Sequence, residues 1–166
     1  MKNSDYLFKP GSFFAFILIL VLPFFFSCNN EKKLTVSENF VLVCGDSKVL
    51  MVEYPDDNDS IPEIVWHWDA HQADDLPSEY QTKKFNSIDD CKPAPDRKQI
   101  MISSSSGAVA IVTLKDKKVT FLADVPNAHS VEMLPGNKII AAASTAKNGN
   151  RLMLFDMARP EVLLDS

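Results

Sequence analysis

The sequence has little glycine, little cysteine and less positive than negative charge. Only 5 of its 166 residues are glycine and 3 are cysteine, and 17 Lys and Arg stand against 22 Asp and Glu, for a net charge of −5. Because nucleic-acid phosphates demand a basic surface, we predict no nucleic-acid partner. No segment keeps a helical period for longer than about three turns, so helices contribute little to the predicted fold.

The longest apolar run is shorter than a membrane-spanning helix and lies near the N-terminus. Residues 13–26 (FFAFILILVLPFFF) are uncharged, whereas a spanning helix needs about 20 apolar residues. Ser27 followed by Cys28 resembles the lipobox of bacterial lipoproteins, in which the cysteine becomes the lipidated first residue. We predict a signal peptide over residues 1–27 and membrane attachment through a lipid on Cys28. An ordinary signal peptide or an uncleaved anchor is the alternative.

The next residues, 28–39, are polar and predict a tether to a domain over residues 40–166. Bacteroidetes-type lipoproteins on the cell surface often carry an acidic run after the lipidated cysteine, and NNEKK lacks one. We therefore predict an outer-membrane lipoprotein that faces the periplasm. That compartment permits a disulfide between Cys44 and Cys91, but the sequence does not show whether the two meet, and their pairing stays open.

The domain is predicted to be all-β, because short apolar runs alternate with turn residues. Its four glycines, at positions 45, 107, 136 and 149, all fall in predicted turns. The predicted strands and hairpins cover Phe40–Tyr54, Ile61–Ala70, Gln99–Leu114, Lys118–Val125, Ser130–Leu134, Ile139–Ser144, Arg151–Met157 and Glu161–Ser166. Residues 71–85 could hold one short helical turn.

Two stretches repeat the same order of four strands and three turns. One begins at Ser87 and the other 43 residues later at Ser130. A period of about 40–45 residues with four strands per unit is typical of a propeller blade, and Phe40–Ala70 supplies three strands of a similar unit. Neither a WD dipeptide nor a kelch signature occurs, so a β-sandwich is the alternative.

Short motifs in these units resemble an uncharacterised Bacteroidetes-type lipoprotein family with propeller-like repeats. They are GDS at 45–47, NAHS at 127–130 and LPGN at 134–137, and the resemblance covers Val41 to Ser166. It implies a fold and no activity. We predict a partial β-propeller of about three four-stranded blades. Because closed propellers have four to eight blades, we expect a fragment of a six- or seven-bladed ring, or protomers that complete one another.

Ligands of propellers sit at one end of the central channel, on loops that enter the innermost strands. Here these loops are residues 69–88 and 126–130, and Asn127 and His129 are their candidate ligand contacts. Asp89 and Glu132 each follow a serine by two residues, at places that the repeat makes equivalent. The two carboxylates could bind a cation, bind sugar hydroxyls or do acid–base work. The alternative is that they satisfy neighbouring backbone groups.

Trp66 and Trp68 share one face of a predicted strand. Exposed, they would stack on a sugar ring; buried, they would pack between blades. No catalytic residue is predicted, because no G-x-S-x-G elbow occurs and adjacent His129 and Ser130 should point to opposite faces. No metal site is predicted either: His67, Asp69 and His71 have a spacing that suits a helix, and the loop 56–60 lacks the glycine of a calcium loop.

Together these features favour a lipid-anchored module of the cell envelope that binds a small molecule, a glycan or a protein without catalysis and without a cofactor. Two alternatives stay open. One is a propeller-type hydrolase or lyase acting on a sugar or lactone, and the other is a truncated product with no function.

Overall fold

The computed structural model describes residues 34–55, 60–145 and 149–165. These residues form eleven β-strands and two short helical turns. The strands are β1 (Phe40–Gly45), β2 (Lys48–Glu53), β3 (Glu63–Asp69), β4 (Ile88–Pro93), β5 (Gln99–Ser104), β6 (Ala108–Thr113), β7 (Val119–Asp124), β8 (Ala128–Leu134), β9 (Lys138–Thr145), β10 (Gly149–Asp156) and β11 (Arg159–Asp165). The turns are a 3₁₀ turn at Ala70–Gln72 and a π-helical turn at Tyr80–Lys84.

The strands form three antiparallel sheets in which neighbours in sequence are neighbours in space. The first sheet is β1-β2-β3, the second β4-β5-β6-β7 and the third β8-β9-β10-β11. The prediction of an all-β domain with one three-stranded and two four-stranded units is confirmed. None of the three sheets closes on itself within the described residues.

The second sheet is buried on both faces and separates two hydrophobic clusters. Ile102 and Val112 point into the cluster shared with the first sheet, and Ile111 and Phe121 point into the cluster shared with the third. Strands that are covered on both faces are apolar at nearly every position. That requirement explains the continuous apolar run of β6, AVAIV, which alternation would not produce.

The hairpin turns are formed by residues that tolerate positive φ. Gly136 and Asn137, with φ of 78° and 57°, connect β8 to β9. Glycine has no Cβ to clash in this region, and asparagine is among the residues that enter it most readily. The predicted Pro135–Asn137 turn is therefore where the chain reverses.

The packed domain begins earlier than the strand pattern indicates. Val36 is buried, and its N–H donates to the Arg97 carbonyl at 3.0 Å. Residues 34–39, at the end of the predicted tether, thus include a segment that docks beside the β4–β5 turn. No helix in the described part of the chain is long and apolar enough to cross a membrane.

The outer faces of the first and third sheets are apolar as well. Val43 on the first sheet is 47% exposed, and Leu152 and Leu164 on the third are 49% and 55% exposed. The ladders place Leu152 opposite Ala142 and Leu164 opposite Leu154, so these side chains share one face. The three sheets therefore stack with apolar surface inside the stack and at both of its ends.

Candidate functional site

The first strands of the second and third sheets carry a β-bulge at the same point. The β4–β5 ladder skips Asp89, and the β8–β9 ladder skips His129. A bulge leaves one residue unpaired and re-aims its side chain. Each bulged residue is the second of its strand, so Asp89 and His129 occupy equivalent positions in two neighbouring sheets.

The two bulged residues contact each other directly. His129 Nδ1 lies 2.9 Å from Asp89 Oδ2. An ionised carboxylate can only accept hydrogen bonds, so Nδ1 carries the proton and Nε2 of a neutral ring is left as an acceptor. The Asp89 carboxylate thus fixes both the orientation and the tautomer of the imidazole.

Ser144 and Asn127 complete the arrangement on the other side of the imidazole. Ser144 Oγ lies 3.1 Å from His129 Nε2, within reach for donating its proton. The Asn127 side-chain amide donates to the Ser144 carbonyl at 2.6 Å and to Ser144 Oγ at 3.0 Å. Asn127 has φ of 51°, and this left-handed conformation suits asparagine better than most residues. We call Asp89, Asn127, His129 and Ser144 the polar cluster.

The second sheet repeats the same local geometry with other residues. Ser105 Oγ donates to Asp89 Oδ1 at 2.9 Å, as Ser144 approaches the bulged histidine in the third sheet. The Ser105 N–H donates to the Ser87 carbonyl at 2.9 Å, and the Ser144 N–H donates to the Asn127 carbonyl at 3.2 Å. Each of these sheets therefore presents one bulged side chain braced by one serine hydroxyl.

The polar cluster borders solvent. The side chains of His129 and Asp89 are 47% and 31% exposed. His129 lines an open cleft of about 510 Å³ together with residues 142–144 and 150–152. One wall carries Arg151, whose guanidinium is held by the Asp165 carboxylate. The cleft therefore offers hydrogen-bond donors and acceptors on a polar wall and the Leu152 side chain on an apolar one.

Glu132 lies outside this cluster, and the predicted equivalence of Asp89 and Glu132 is wrong. The ladders make Lys92 the counterpart of Glu132. The two form an ion pair, with Lys92 Nζ at 2.5 Å from Glu132 Oε1 and at 3.0 Å from Ser130 Oγ. Burial lowers the pKa of Lys92, but the hydrogen bond to Glu132 and the charge of Asp90 outweigh burial and raise it. This pair joins the second sheet to the third.

Trp66 and Trp68 do not form a stacking platform. Both indoles are buried, so a sugar ring cannot reach their faces, and that prediction is wrong. Trp66 Nε1 donates to the Leu114 carbonyl at 3.0 Å, and Trp68 meets Phe85 edge to face at 5.8 Å. The alternative interpretation, packing between units, is the one that the structure shows.

The other predicted loop, residues 69–88, holds its polar side chains apart from the polar cluster. His71 Nε2 pairs with Asn86 Oδ1 at 2.9 Å, and Asp75 accepts from the Val119 N–H at 2.7 Å. Asp69 is bonded to the Ser47 hydroxyl at 2.9 Å. Within the described residues no group of three or more His, Cys, Asp or Glu could hold a metal ion. The loop considered for calcium, residues 56–60, lies mostly outside the described residues.

Ser144 is the member of the polar cluster that was not predicted from the sequence. A signal was available, because the predicted Pro135–Asn137 turn fixes the register of the hairpin. Counting back from that turn sets Ser144 beside Asn127 and Ala128. The one-residue shift of the bulge cannot be counted in this way, and it is the bulge that turns His129 toward the hydroxyl.

The fold and the site thus define an all-β protein of stacked antiparallel sheets with an exposed Asp–His–Ser arrangement at their junction. Residues 12–158 match a family of unknown function, DUF6528, and since that match covers most of the chain, the protein belongs to this family. No curated protein matches the chain.

Proposed function

We propose that the protein is a lipid-anchored module of the cell envelope, built as part of a β-propeller, that binds a polar ligand at the polar cluster. A glycan is the ligand class we favour, since Asp89, Asn127 and His129 offer both hydrogen-bond donors and acceptors beside an open cleft. The observation that carries the proposal is the direct hydrogen bond between equivalent bulged residues of two neighbouring sheets. Ligand sites commonly combine a few convergent polar groups with apolar surface, as this cleft does.

The stacking of the sheets supports the propeller. In propellers four-stranded sheets pack face to face around a channel, and their first strands lie nearest to it. Here the first strands β4 and β8 pack against each other and carry the bulges. The apolar outer faces around Val43 and Leu152 suit contact with further sheets.

Hydrodynamics tests this part of the proposal. We expect the purified chain to self-associate through its outer faces, and Val43→Glu or Leu152→Glu to reduce that association in sedimentation velocity experiments. A compact, soluble monomer at high protein concentration would contradict a requirement for further sheets.

Glycan binding tests the site. A glycan array identifies candidate ligands, and calorimetry measures their affinity. We expect His129→Ala to lower affinity at least tenfold while the thermal unfolding midpoint changes little. His71→Ala is a matched control, because it removes another exposed imidazole that is bonded to Asn86 outside the cluster. Equal loss of binding in both variants, or unfolding of the first, would reject a role for His129 in ligand contact.

Metabolic labelling with radioactive palmitate tests the anchor. We expect the full chain, expressed in a Gram-negative bacterium, to incorporate label and to fractionate with the outer membrane. Cys28→Ser should abolish both properties. Label that persists in this variant would show that Cys28 is not the acceptor.

A second candidate function, hydrolysis of an ester or lactone, is favoured by the contacts that join Asp89 to His129 and His129 to Ser144. The arrangement is that of a catalytic triad, in which a carboxylate orients an imidazole and the imidazole accepts the proton of a serine hydroxyl. Ser144 Oγ would attack the carbonyl carbon while His129 Nε2 accepts the proton and then delivers it to the leaving alcohol oxygen. Water would release the acyl group by the reverse transfer.

A fluorophosphonate probe separates the two candidates. Hydrolysis predicts covalent labelling that Ser144→Ala abolishes and Ser130→Ala retains, because Ser130 adjoins His129 in sequence but contacts Lys92. Absence of labelling in the unmodified chain, or labelling that survives Ser144→Ala, would leave ligand binding as the function.

A further inference from the structure

Two cysteine thiols meet at the junction between the first and second sheets. Cys44 lies on β1 and Cys91 on β4, and these strands pack against each other. Both are free thiols that pack against the same hydrophobic cluster, and each perturbs the pKa of the other. They are distant in sequence, so the fold alone brings them together.

Neighbouring contacts hold the two thiols in this position. The Ile88 N–H donates to the Asp46 carbonyl at 2.8 Å, which ties β4 to the turn that follows β1. In their ladders Cys44 pairs with Val49 and Cys91 with Ile102. Both partners are fully buried, and directly opposite residues of a ladder point to the same side. Both thiols therefore face the same hydrophobic cluster.

We propose that Cys44 and Cys91 form an intramolecular disulfide that links the first sheet to the second. The chemistry is thiol–disulfide exchange with a small or protein disulfide as oxidant. One thiolate attacks the donor disulfide and releases a donor thiol, and the second then attacks the sulfur of the mixed disulfide and releases the other. The two cysteines lose two electrons and two protons, and the donor disulfide is reduced to two thiols.

The surroundings of the thiols determine how fast this reaction proceeds. Burial raises the pKa of both thiols. Since the thiolate is the attacking species, burial slows the first attack by either thiol. Both residues are only partly buried, so a small disulfide can reach the pair.

The test uses the full chain with Cys28→Ser, which leaves two thiols. The reduced, folded protein is incubated with oxidised glutathione, then denatured and treated with a maleimide–polyethylene glycol reagent. We expect labelling to fall from two adducts per chain to none. The mass of the intact protein should fall by about 2 Da, and no glutathione should be bound to the product. Treatment with dithiothreitol should restore both adducts, and the oxidised protein should run as a single chain on a non-reducing denaturing gel, because the disulfide is intramolecular.

Single substitutions in the same background are the controls. Cys44→Ser and Cys91→Ser should each take up at most one glutathione. The variant should retain it as a mixed disulfide, because no second thiol is present to release it. The oxidised two-cysteine chain should also unfold at a higher temperature than the reduced one, a shift that neither single variant shows. Two glutathiones on the two-cysteine chain, or two maleimide adducts after oxidation, would overturn the proposal. This assay needs no ligand, so its failure is distinct from failure of the proposed binding function.

Discussion

Trp66 and Trp68 should respond differently to the same substitution, although both indoles are buried to the same degree. Trp66 Nε1 donates to the Leu114 carbonyl at 3.0 Å, a bond that ties β3 to the second sheet. Trp68 Nε1, in contrast, is buried and has no hydrogen-bond partner within the described residues. Phenylalanine removes the indole N–H at either position and keeps an aromatic ring.

The expected difference follows from hydrogen bonding, since the loss of volume is nearly equal. Each substitution leaves a small cavity that costs roughly 1 kcal/mol. Trp66→Phe also leaves the buried Leu114 carbonyl without its donor, at a further cost of about 1–3 kcal/mol. Trp68→Phe removes a buried donor that lacks a partner, which offsets part of its cavity cost. We expect Trp66→Phe to cost about 2–4 kcal/mol and Trp68→Phe about 1 kcal/mol or less.

Urea unfolding followed by far-ultraviolet circular dichroism measures both free energies, because fluorescence would change with the tryptophans themselves. The slope of the free energy against urea concentration should stay constant, so that the midpoints report stability. Equal losses in the two variants, or a larger loss for Trp68→Phe, would refute the assignment of the two indole environments.

Two further predictions concern single polar side chains. Burial raises the pKa of Asp69, but hydrogen bonds from Ser47 and the His71 N–H and the charge of Lys48 outweigh it, and the folded-state pKa is lowered. Its contribution is therefore present at neutral pH and lost as pH falls through the folded-state pKa, so the destabilisation by Asp69→Asn should shrink below about pH 4 in thermal unfolding. Asn127→Ala should be less stable than Asn127→Gly by about 1 kcal/mol, because alanine is strained at positive φ; equal midpoints would contradict this.

Strand order was accessible from the sequence because turn chemistry and apolar runs are local signals. Gly45, Gly107 and Gly136 interrupt the runs where the chain reverses, and the hairpins form around them. Burial of the tryptophans was one of the two interpretations drawn from the sequence, and the structure shows it, because aromatic side chains contribute most when they leave water. Docking of Val36 was not accessible, because one apolar residue in a polar stretch has no periodicity to indicate its partner.

The site was predicted only in part because register is not a local property. Asn127 and His129 were named as candidates from their place in the loop that enters β8, and the structure brings them together, whereas Glu132 was paired with the wrong residue. Aligning the two repeats at Ser87 and Ser130 assumes that every loop has the same length. The ladders show instead that the first strands align Asp89 with His129, an offset of 40 residues.

The offset between the two repeats changes within one hairpin, which lies beside the polar cluster. The later strands, β6 and β10, do align at 43 residues, since Val112 and Phe155 pair with equivalent residues of β5 and β9. The extra residues lie in the β9–β10 hairpin, which extends to a pair between Thr145 and Gly149. That extension begins at Ser144, so the same insertion that disturbs the repeat lengthens the cleft wall beside His129.

The second sheet has the same bulge and the same bracing serine, with a shorter hairpin and an aspartate in place of the histidine. A backbone geometry shared by two sheets therefore supports two different side chains, and their hydrogen bond across the junction exists because the repeats differ in sequence while their bulges coincide.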